Sequence, residues 1–120
     1  MRRIKFKGYG VVLPKNTVSF KDHIRYRISE GETQLQLAVA ACEKALKNSN
    51  ISINDIDCIV SASAVGVQPI PCMAALIHEK IAKGTSIPAL DINTTCTSFI
   101  TALDTMSYLL EAGRYKRVLI

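Results

Sequence analysis

Short strand-like runs alternate along this chain with longer stretches that carry apolar residues at helical spacing. Residues 4–12 alternate loosely between apolar and polar positions and stop before Pro14, which predicts a first strand. The polar, basic stretch 15–31 is expected to be a surface excursion that contains one helical turn. The remaining predicted strands are apolar runs of the kind seen in buried parallel sheets: residues 57–64, 89–92 and 117–120.

Three helices are predicted between these strands. Thr33 and Gln36 have the spacing of a capping box and predict the start of the first helix. Pro71 suits the first position of a second helix, and the third helix is expected from Cys96 to Glu111. Their apolar stripes are Leu35, Val39, Cys42 and Leu46, then Met73, Ile77 and Ile81, then Phe99, Leu103, Met106 and Leu110. This alternation predicts an α/β fold with a mostly parallel sheet and crossover helices.

Composition and charge narrow the class of protein. The chain has 120 residues, of which 48% are hydrophobic and 21% charged, so we expect one folded domain over residues 1–120. The net charge of +5 is milder than a dedicated nucleic-acid binder usually carries. The sequence contains neither a membrane-length apolar run nor the apolar stretch of a signal peptide, and we therefore expect a cytoplasmic protein with free thiols.

Two features indicate that the chain is a fragment of a longer protein. The last predicted strand stops at Ile120 in the middle of an apolar run. The third predicted helix is apolar nearly all round, which is typical of a helix buried inside something larger than 120 residues.

Cys96 is the strongest candidate for chemistry, because it follows a predicted buried strand and begins a predicted helix. The free amides and partial positive charge of a helix N-terminus stabilise a thiolate and can also hold a developing oxyanion. By the pattern alone, a small buried cysteine packed under Phe99 is an equal alternative. The other three cysteines lie in apolar surroundings and are expected to be core residues: Cys42, Cys58 and Cys72.

The histidines suggest no metal site, and the basic residues form clusters that differ in their expected role. His23 and His78 have no partner at the spacing of metal ligands. The basic residues form three clusters: Arg2, Arg3, Lys5 and Lys7; Lys21, Arg25 and Arg27; Arg114, Lys116 and Arg117. The first and third are interpreted as solvated faces, whereas the second lies in an irregular loop where cations can contact phosphates.

The order and spacing of five segments resemble the N-terminal part of the β-ketoacyl-acyl-carrier-protein synthase III family, in the thiolase-like superfamily. These segments are Gly8–Pro14, Glu32–Ala38, Ile53–Val60, Asp91–Phe99 and Gly113–Ile120. The resemblance implies the N-terminal half of a thiolase-like fold, with a mostly parallel sheet, crossover helices and a buried nucleophile helix.

The same resemblance implies a reaction. Cys96 corresponds to the nucleophile that takes an acyl group from acyl-CoA, after which the acyl-enzyme condenses with malonyl-acyl-carrier protein in fatty-acid or polyketide synthesis. The catalytic His and Asn of the family belong to the C-terminal half, and neither His23 nor His78 matches them. We therefore expect this chain alone to be inactive in condensation.

Binding residues are implied in the same way. Arg27 matches an arginine that holds the nucleotide end of coenzyme A, and His23 stands where the family usually has a tryptophan that stacks on adenine. Ile70 matches the position that reaches the partner subunit's acyl pocket. We expect acyl-CoA and malonyl-acyl-carrier protein as partners, self-association as a homodimer or higher assembly, no cofactor besides the coenzyme A thioester as substrate, and neither nucleic acid nor membrane as partner.

Two other functions remain open from the sequence. The chain can be a non-catalytic α/β module that self-associates through an exposed sheet edge and an apolar helix, with four equivalent inert thiols. A weaker hypothesis is nucleic-acid binding through the basic clusters, which would show a steep dependence on salt.

Overall fold

The computed structural model describes residues 3–120 and contains five strands and three helices in that range. The elements in chain order are β1 (Asn16–Phe20), β2 (His23–Arg27), α1 (Gln34–Ser49), β3 (Cys58–Ala62), α2 (Met73–Ile81), β4 (Ala89–Ile92), α3 (Ser98–Glu111) and β5 (Val118–Leu119). Two short 3₁₀ turns, Ile53–Asp55 and Thr95–Thr97, precede β3 and α3. The predicted α/β class is confirmed.

The central sheet has the order β4-β3-β5, and all its strand pairs are parallel. On one face, Ile59 packs with Met73 and Ile77 of α2. On the other face, Cys58 packs with Met106 of α3. Because β3 is covered on both faces, nearly every one of its residues must be apolar, which explains the run without alternation in the sequence.

The first helix begins as the sequence predicts. The Thr33 hydroxyl accepts a hydrogen bond from the Gln36 amide, while the Gln36 side chain accepts one from the Thr33 amide. Leu35, Cys42 and Leu46 pack against the core on the α1 and α2 side of the sheet. The predicted strand at 89–92 is also confirmed.

The N-terminal third of the chain differs from the prediction. Residues 4–12 form no strand, because no other strand in the described part of the chain pairs with them. The predicted surface excursion with a helical turn is instead an antiparallel hairpin of β1 and β2, with Asn16 opposite Arg27 and Phe20 opposite His23. The prediction was wrong here because the β-branched and aromatic residues of both strands outweigh their charged neighbours.

Two helix starts are also shifted. α2 begins at Met73 with Cys72 as its N-cap, so Pro71 lies just outside the helix. α3 begins at Ser98, and Cys96 lies in the preceding 3₁₀ turn. α3 is buried on one face through Ala102 and Met106, whereas Phe99 and Ile100 are exposed.

Candidate functional site

The carboxyl ends of β3 and β4 lie side by side, as parallel pairing requires, and the segments leaving them are joined by hydrogen bonds. The Asn93 side chain, after β4, donates to the Ala64 carbonyl, after β3, at 2.9 Å. The Gln34 side chain, at the start of α1, donates to the Val65 carbonyl at 2.8 Å. Loops at the carboxyl end of a parallel sheet are the usual location of ligand sites in α/β proteins.

Asp91 fixes the start of α2 to this same end of the sheet. Its carboxylate oxygens accept hydrogen bonds from the amides of Met73 at 2.9 Å and Ala74 at 2.7 Å. These amides belong to the first turn of α2, where they have no partner within the helix. Since Cys72, the N-cap residue, makes no side-chain cap bond, Asp91 supplies the cap from a different element.

Cys96 is exposed and lies in the turn between β4 and α3. The alternative of a small cysteine buried under Phe99 is wrong, because the Cys96 thiol is exposed. Phe99 itself is half exposed. The turn places Cys96 two residues before the first residue of α3, Ser98, with Thr97 between them as the N-cap. An accessible sulfur beside the amide-bearing end of a helix can attack an electrophilic carbonyl carbon.

Hydroxyl groups hold the backbone of this turn. The Ser98 side chain is 2% exposed; it accepts from the Thr94 amide at 3.0 Å and donates to the Thr95 carbonyl at 2.6 Å. The Thr94 and Thr101 hydroxyls lie 2.8 Å apart, which links the turn to the second turn of α3. The residues on both sides of Cys96 are thus tied to one another and to α3.

The predicted binding residues lie on other elements. His23 and Arg27 stand at the two ends of β2, two positions either side of Arg25, so all three side chains project from one face of the exposed hairpin. Glu32 closes the base of the hairpin by accepting from the Lys15 amide, before β1, at 3.3 Å. It also accepts from the Ser29 amide at 2.9 Å, and this bond lowers the pKa of Glu32. Ile70 is 87% exposed in the loop before α2.

The other cysteines differ from Cys96 in their surroundings. Cys58 is completely buried, and burial raises the pKa of its thiol. Burial likewise raises the pKa of the Cys42 thiol on α1. Cys72 is partly buried at the start of α2. Cys96 is the one exposed cysteine among the described residues.

Other candidate chemistry is not assembled in this structure. Within residues 3–120 no group of His, Cys, Asp and Glu side chains comes together in a way that could hold a metal ion. His78 lies 3.2 Å from the Thr85 hydroxyl beyond the C-terminal end of α2, whereas Cys96 lies at the end of the sheet where α2 begins. No helix in the described part of the chain is both long and apolar enough to cross a membrane.

A groove of about 920 Å³ opens between the N-terminal segment and the sheet. Residues 3–10 form one wall, and residues 115–120, with β5, form another. Gly8 and Gly10 allow the N-terminal segment to lie directly on α1, where the Asn48 side chain donates to the Tyr9 carbonyl at 2.9 Å. Cys96 is not among the residues that line this groove.

Comparison with known proteins agrees with this architecture. The 3-oxoacyl-[acyl-carrier-protein (ACP)] synthase III family matches residues 90–120, which contain most of β4, the Cys96 turn, α3 and β5. The whole chain aligns with β-ketoacyl-[acyl-carrier-protein] synthase III of Bartonella tribocorum at 32% identity and of Neisseria gonorrhoeae at 29% identity. The chain is a relative of these synthases of thiolase fold. It spans only 42% and 43% of their respective lengths.

Solved structures give the same result for this synthase III-like chain. The synthase III of Aquifex aeolicus superposes with a TM-score of 0.85 at 29% identity, over 92% of this chain and 41% of that one. A tetronic acid condensing enzyme, AbyA1, superposes with a TM-score of 0.80 at 20% identity, which shows a common fold alone. The predicted N-terminal part of a thiolase-like fold is confirmed.

The sequence pattern did not point to three further residues of this site: Gln34, Asp91 and Asn93. Each carries a polar side chain at a helix start or a strand end, and for Asp91 and Asn93 the signal was present in the sequence. An acidic or amide residue that ends an apolar strand projects from the carboxyl edge of the sheet. The hydrogen-bond partners of these three side chains on other elements, however, lie 17 to 31 residues away in the sequence and come close only in the folded chain.

Proposed function

We propose that Cys96 is the acyl-accepting nucleophile of a synthase III-type condensing enzyme. The observation that carries this proposal is the exposed thiol in the turn between β4 and α3, inside the segment that matches the synthase III family. A buried thiol at this position could not reach a thioester. The relatives named above are synthases of this type, and the chain shares the fold of one of them over 92% of its length.

The proposed first half-reaction is thioester exchange. The Cys96 sulfur attacks the thioester carbon of acyl-CoA, and amides at the start of α3 donate hydrogen bonds to the resulting oxyanion. The carbon–sulfur bond to coenzyme A then breaks, coenzyme A leaves as a thiol that carries the proton lost by Cys96, and the acyl group remains on Cys96. No other reactant is needed for this step.

The proposed second half-reaction belongs to the complete enzyme. There the acyl group condenses with malonyl-acyl-carrier protein as carbon dioxide leaves, in fatty-acid or polyketide synthesis. Neither histidine of this chain is available for that step: His23 is on the hairpin and His78 contacts Thr85. The 120-residue chain should therefore accept an acyl group but form no condensation product.

Arg27 and His23 are proposed to hold the phosphates and adenine of coenzyme A. Their common face of β2 also carries Arg25, which adds positive charge for a phosphate group. Ile70 is proposed to contribute to the acyl pocket of a partner subunit, since it is the most exposed apolar side chain of the loop before α2. Acyl-CoA, malonyl-acyl-carrier protein and a second copy are the proposed partners, in the cytoplasm.

The test is acylation of the intact chain by acetyl-CoA and longer acyl-CoA thioesters, measured by mass spectrometry. We expect one acyl group per chain, located on Cys96 by peptide mapping, and none on the Cys96→Ala variant. Cys72→Ala, at the other cysteine near this end of the sheet, is the matched control and should be acylated like the parent. Absence of acylation, or acylation spread over several cysteines, would refute the proposal.

A second function is favoured by one observation: α3 exposes Phe99 at 50% and Ile100 at 64%. A chain that only self-associates through this surface would need no reactive thiol. Alkylation with iodoacetamide separates the two functions, because a nucleophilic Cys96 reacts at least about tenfold faster than Cys72. Similar rates for Cys96 and Cys72 would favour the self-association module.

A further inference from the structure

The residue directly before Cys96 has an unusual backbone conformation. Thr95 adopts a φ of 55°, in the left-handed region that favours glycine. Threonine is β-branched, and such a residue rarely adopts this conformation unless the surrounding structure holds it there. The conformation of Thr95 sets the direction in which the chain enters the 3₁₀ turn and thus the position of Cys96.

Asn93 makes two hydrogen bonds that bear on this conformation. Its side-chain oxygen accepts from the Thr95 amide at 2.9 Å, which closes a turn over Thr94. Its side-chain nitrogen donates to the Ala64 carbonyl at 2.9 Å, in the segment that leaves β3. One amide side chain therefore ties the turn before Cys96 to the end of the neighbouring strand.

We propose that Asn93 is a positioning residue for Cys96, which acts by holding Thr95 in its left-handed conformation. This inference rests on the proposed role of Cys96 as the nucleophile. Neither hydrogen bond is available to alanine, and a carboxylate would retain only the acceptor. Because Asn93 acts through Thr95, its loss should matter less when residue 95 adopts the left-handed conformation without strain.

The experiment measures the alkylation rate of Cys96 by iodoacetamide, relative to Cys72 in the same molecule, at neutral pH. We expect Asn93→Ala to lower this ratio by about tenfold, because a factor of ten is comparable to the free-energy cost of holding one residue in a sparsely populated backbone conformation. Adding Thr95→Gly to that variant should restore the ratio to within about threefold of the parent, since glycine occupies φ near 55° at little cost. Asn16→Ala, an exposed asparagine on the hairpin, is the matched control and should leave the ratio unchanged.

Two results would overturn the positioning role: an unchanged ratio for Asn93→Ala, or a double variant no faster than Asn93→Ala alone. If the role of Asn93 were only structural, the single and the double variant would both be less stable to heat, and Thr95→Gly would not restore the alkylation ratio. If Asn93→Ala does not fold by circular dichroism, Asn93→Leu replaces it, because leucine keeps the size of the side chain but can form neither hydrogen bond. Asn93→Leu should then react faster with Thr95→Gly than without it, and equal rates would refute the proposal. The readout needs no acyl transfer, so failure of the proposed function would be seen separately, in the acyl-CoA experiment.

Discussion

Asp57 and Arg117 are joined by two hydrogen bonds although 60 residues separate them in sequence. The Asp57 carboxylate accepts from the Arg117 amide at 2.9 Å, and the Asp57 amide donates to the Arg117 carbonyl at 2.9 Å. The same carboxylate also accepts from the Lys116 amide at 2.7 Å. Since Asp57 precedes β3 and Arg117 precedes β5, this contact sets the register in which the two strands begin to pair.

The first prediction concerns the pH dependence of this contact. The amide of Arg117, followed by that of Lys116, lowers the pKa of Asp57 in the folded chain. The carboxylate therefore stabilises the fold fully above its unfolded pKa of about 4, and this stabilisation is lost as the pH falls through the lower folded pKa. We expect Asp57→Asn to lower the free energy of unfolding at neutral pH by about 1 kcal/mol, a modest value because the site is solvent-accessible.

Urea unfolding at a series of pH values measures this effect. The difference between parent and Asp57→Asn should shrink as the pH is lowered through the acidic range. Asp55→Asn, an exposed carboxylate in the preceding 3₁₀ turn, is the control and should follow the parent. A difference for Asp57→Asn that stays constant with pH would contradict the assignment.

The second prediction concerns the cap that Asp91 provides for α2. Asp91→Ala removes acceptors for the Met73 and Ala74 amides and should destabilise the chain by about 1–2 kcal/mol in urea unfolding. Asp91→Asn, which retains one acceptor oxygen, should lose about half as much. Asp22→Ala, at the exposed hairpin turn, is the control. Equal losses for Asp91→Ala and Asp22→Ala would show that the cap contributes nothing.

The third prediction concerns the close contact between the N-terminal segment and α1. A Cβ on Gly10 would overlap the Ala41 carbonyl oxygen and would lie 2.7 Å from the Ala45 amide nitrogen. Because helix backbone cannot move away cheaply, Gly10→Ala should release the segment and destabilise the chain by about 2 kcal/mol. Faster hydrogen exchange of the backbone amides of residues 9–12 would show this release directly. Gly66→Ala, where the nearest atom is at 3.4 Å, should leave both measurements unchanged.

The fourth prediction concerns self-association of this chain. Phe99 and Ile100 on α3 and Ile120 after β5 expose apolar surface that water disfavours. Light scattering coupled to size exclusion should show dimers or larger species whose proportion rises with protein concentration. Ile100→Lys should shift the distribution toward the monomer, whereas Thr97→Lys, on the exposed turn before α3, should not. A monomer at all concentrations would refute this prediction.

Patterns that depend on near neighbours were sufficient to predict several elements. The capping box of Thr33 and Gln36 is closed within three residues, and the helix after it forms where expected. The strand at 89–92 was also located correctly. The capping box depends on residues three positions apart, and the strand depends on a short run of mostly apolar residues. Both patterns can be read directly from the sequence.

Other features depended on partners that are distant along the chain. The alternation of residues 4–12 is that of a strand, yet a strand forms only when its backbone groups find another strand, and in residues 3–120 they do not. The hairpin at 16–27 turns through Lys21, at a φ of 52°, rather than through the Asn-Gly or Asp-Gly pair that signals such turns. Its strands therefore carried no recognisable turn between them.

The amino-acid sequence by itself determined the alternation of helices and strands, the parallel arrangement of the sheet and the position of a cysteine between a strand and the helix that follows it. Only the tertiary structure decided that this thiol is exposed, that Asp91 caps a helix 17 or 18 residues earlier in the chain and that Asn93 connects two strand ends. The physical reason is that periodicity and capping act over a few neighbouring residues. Exposure and cross-element hydrogen bonds depend instead on how the packed elements bring distant residues together.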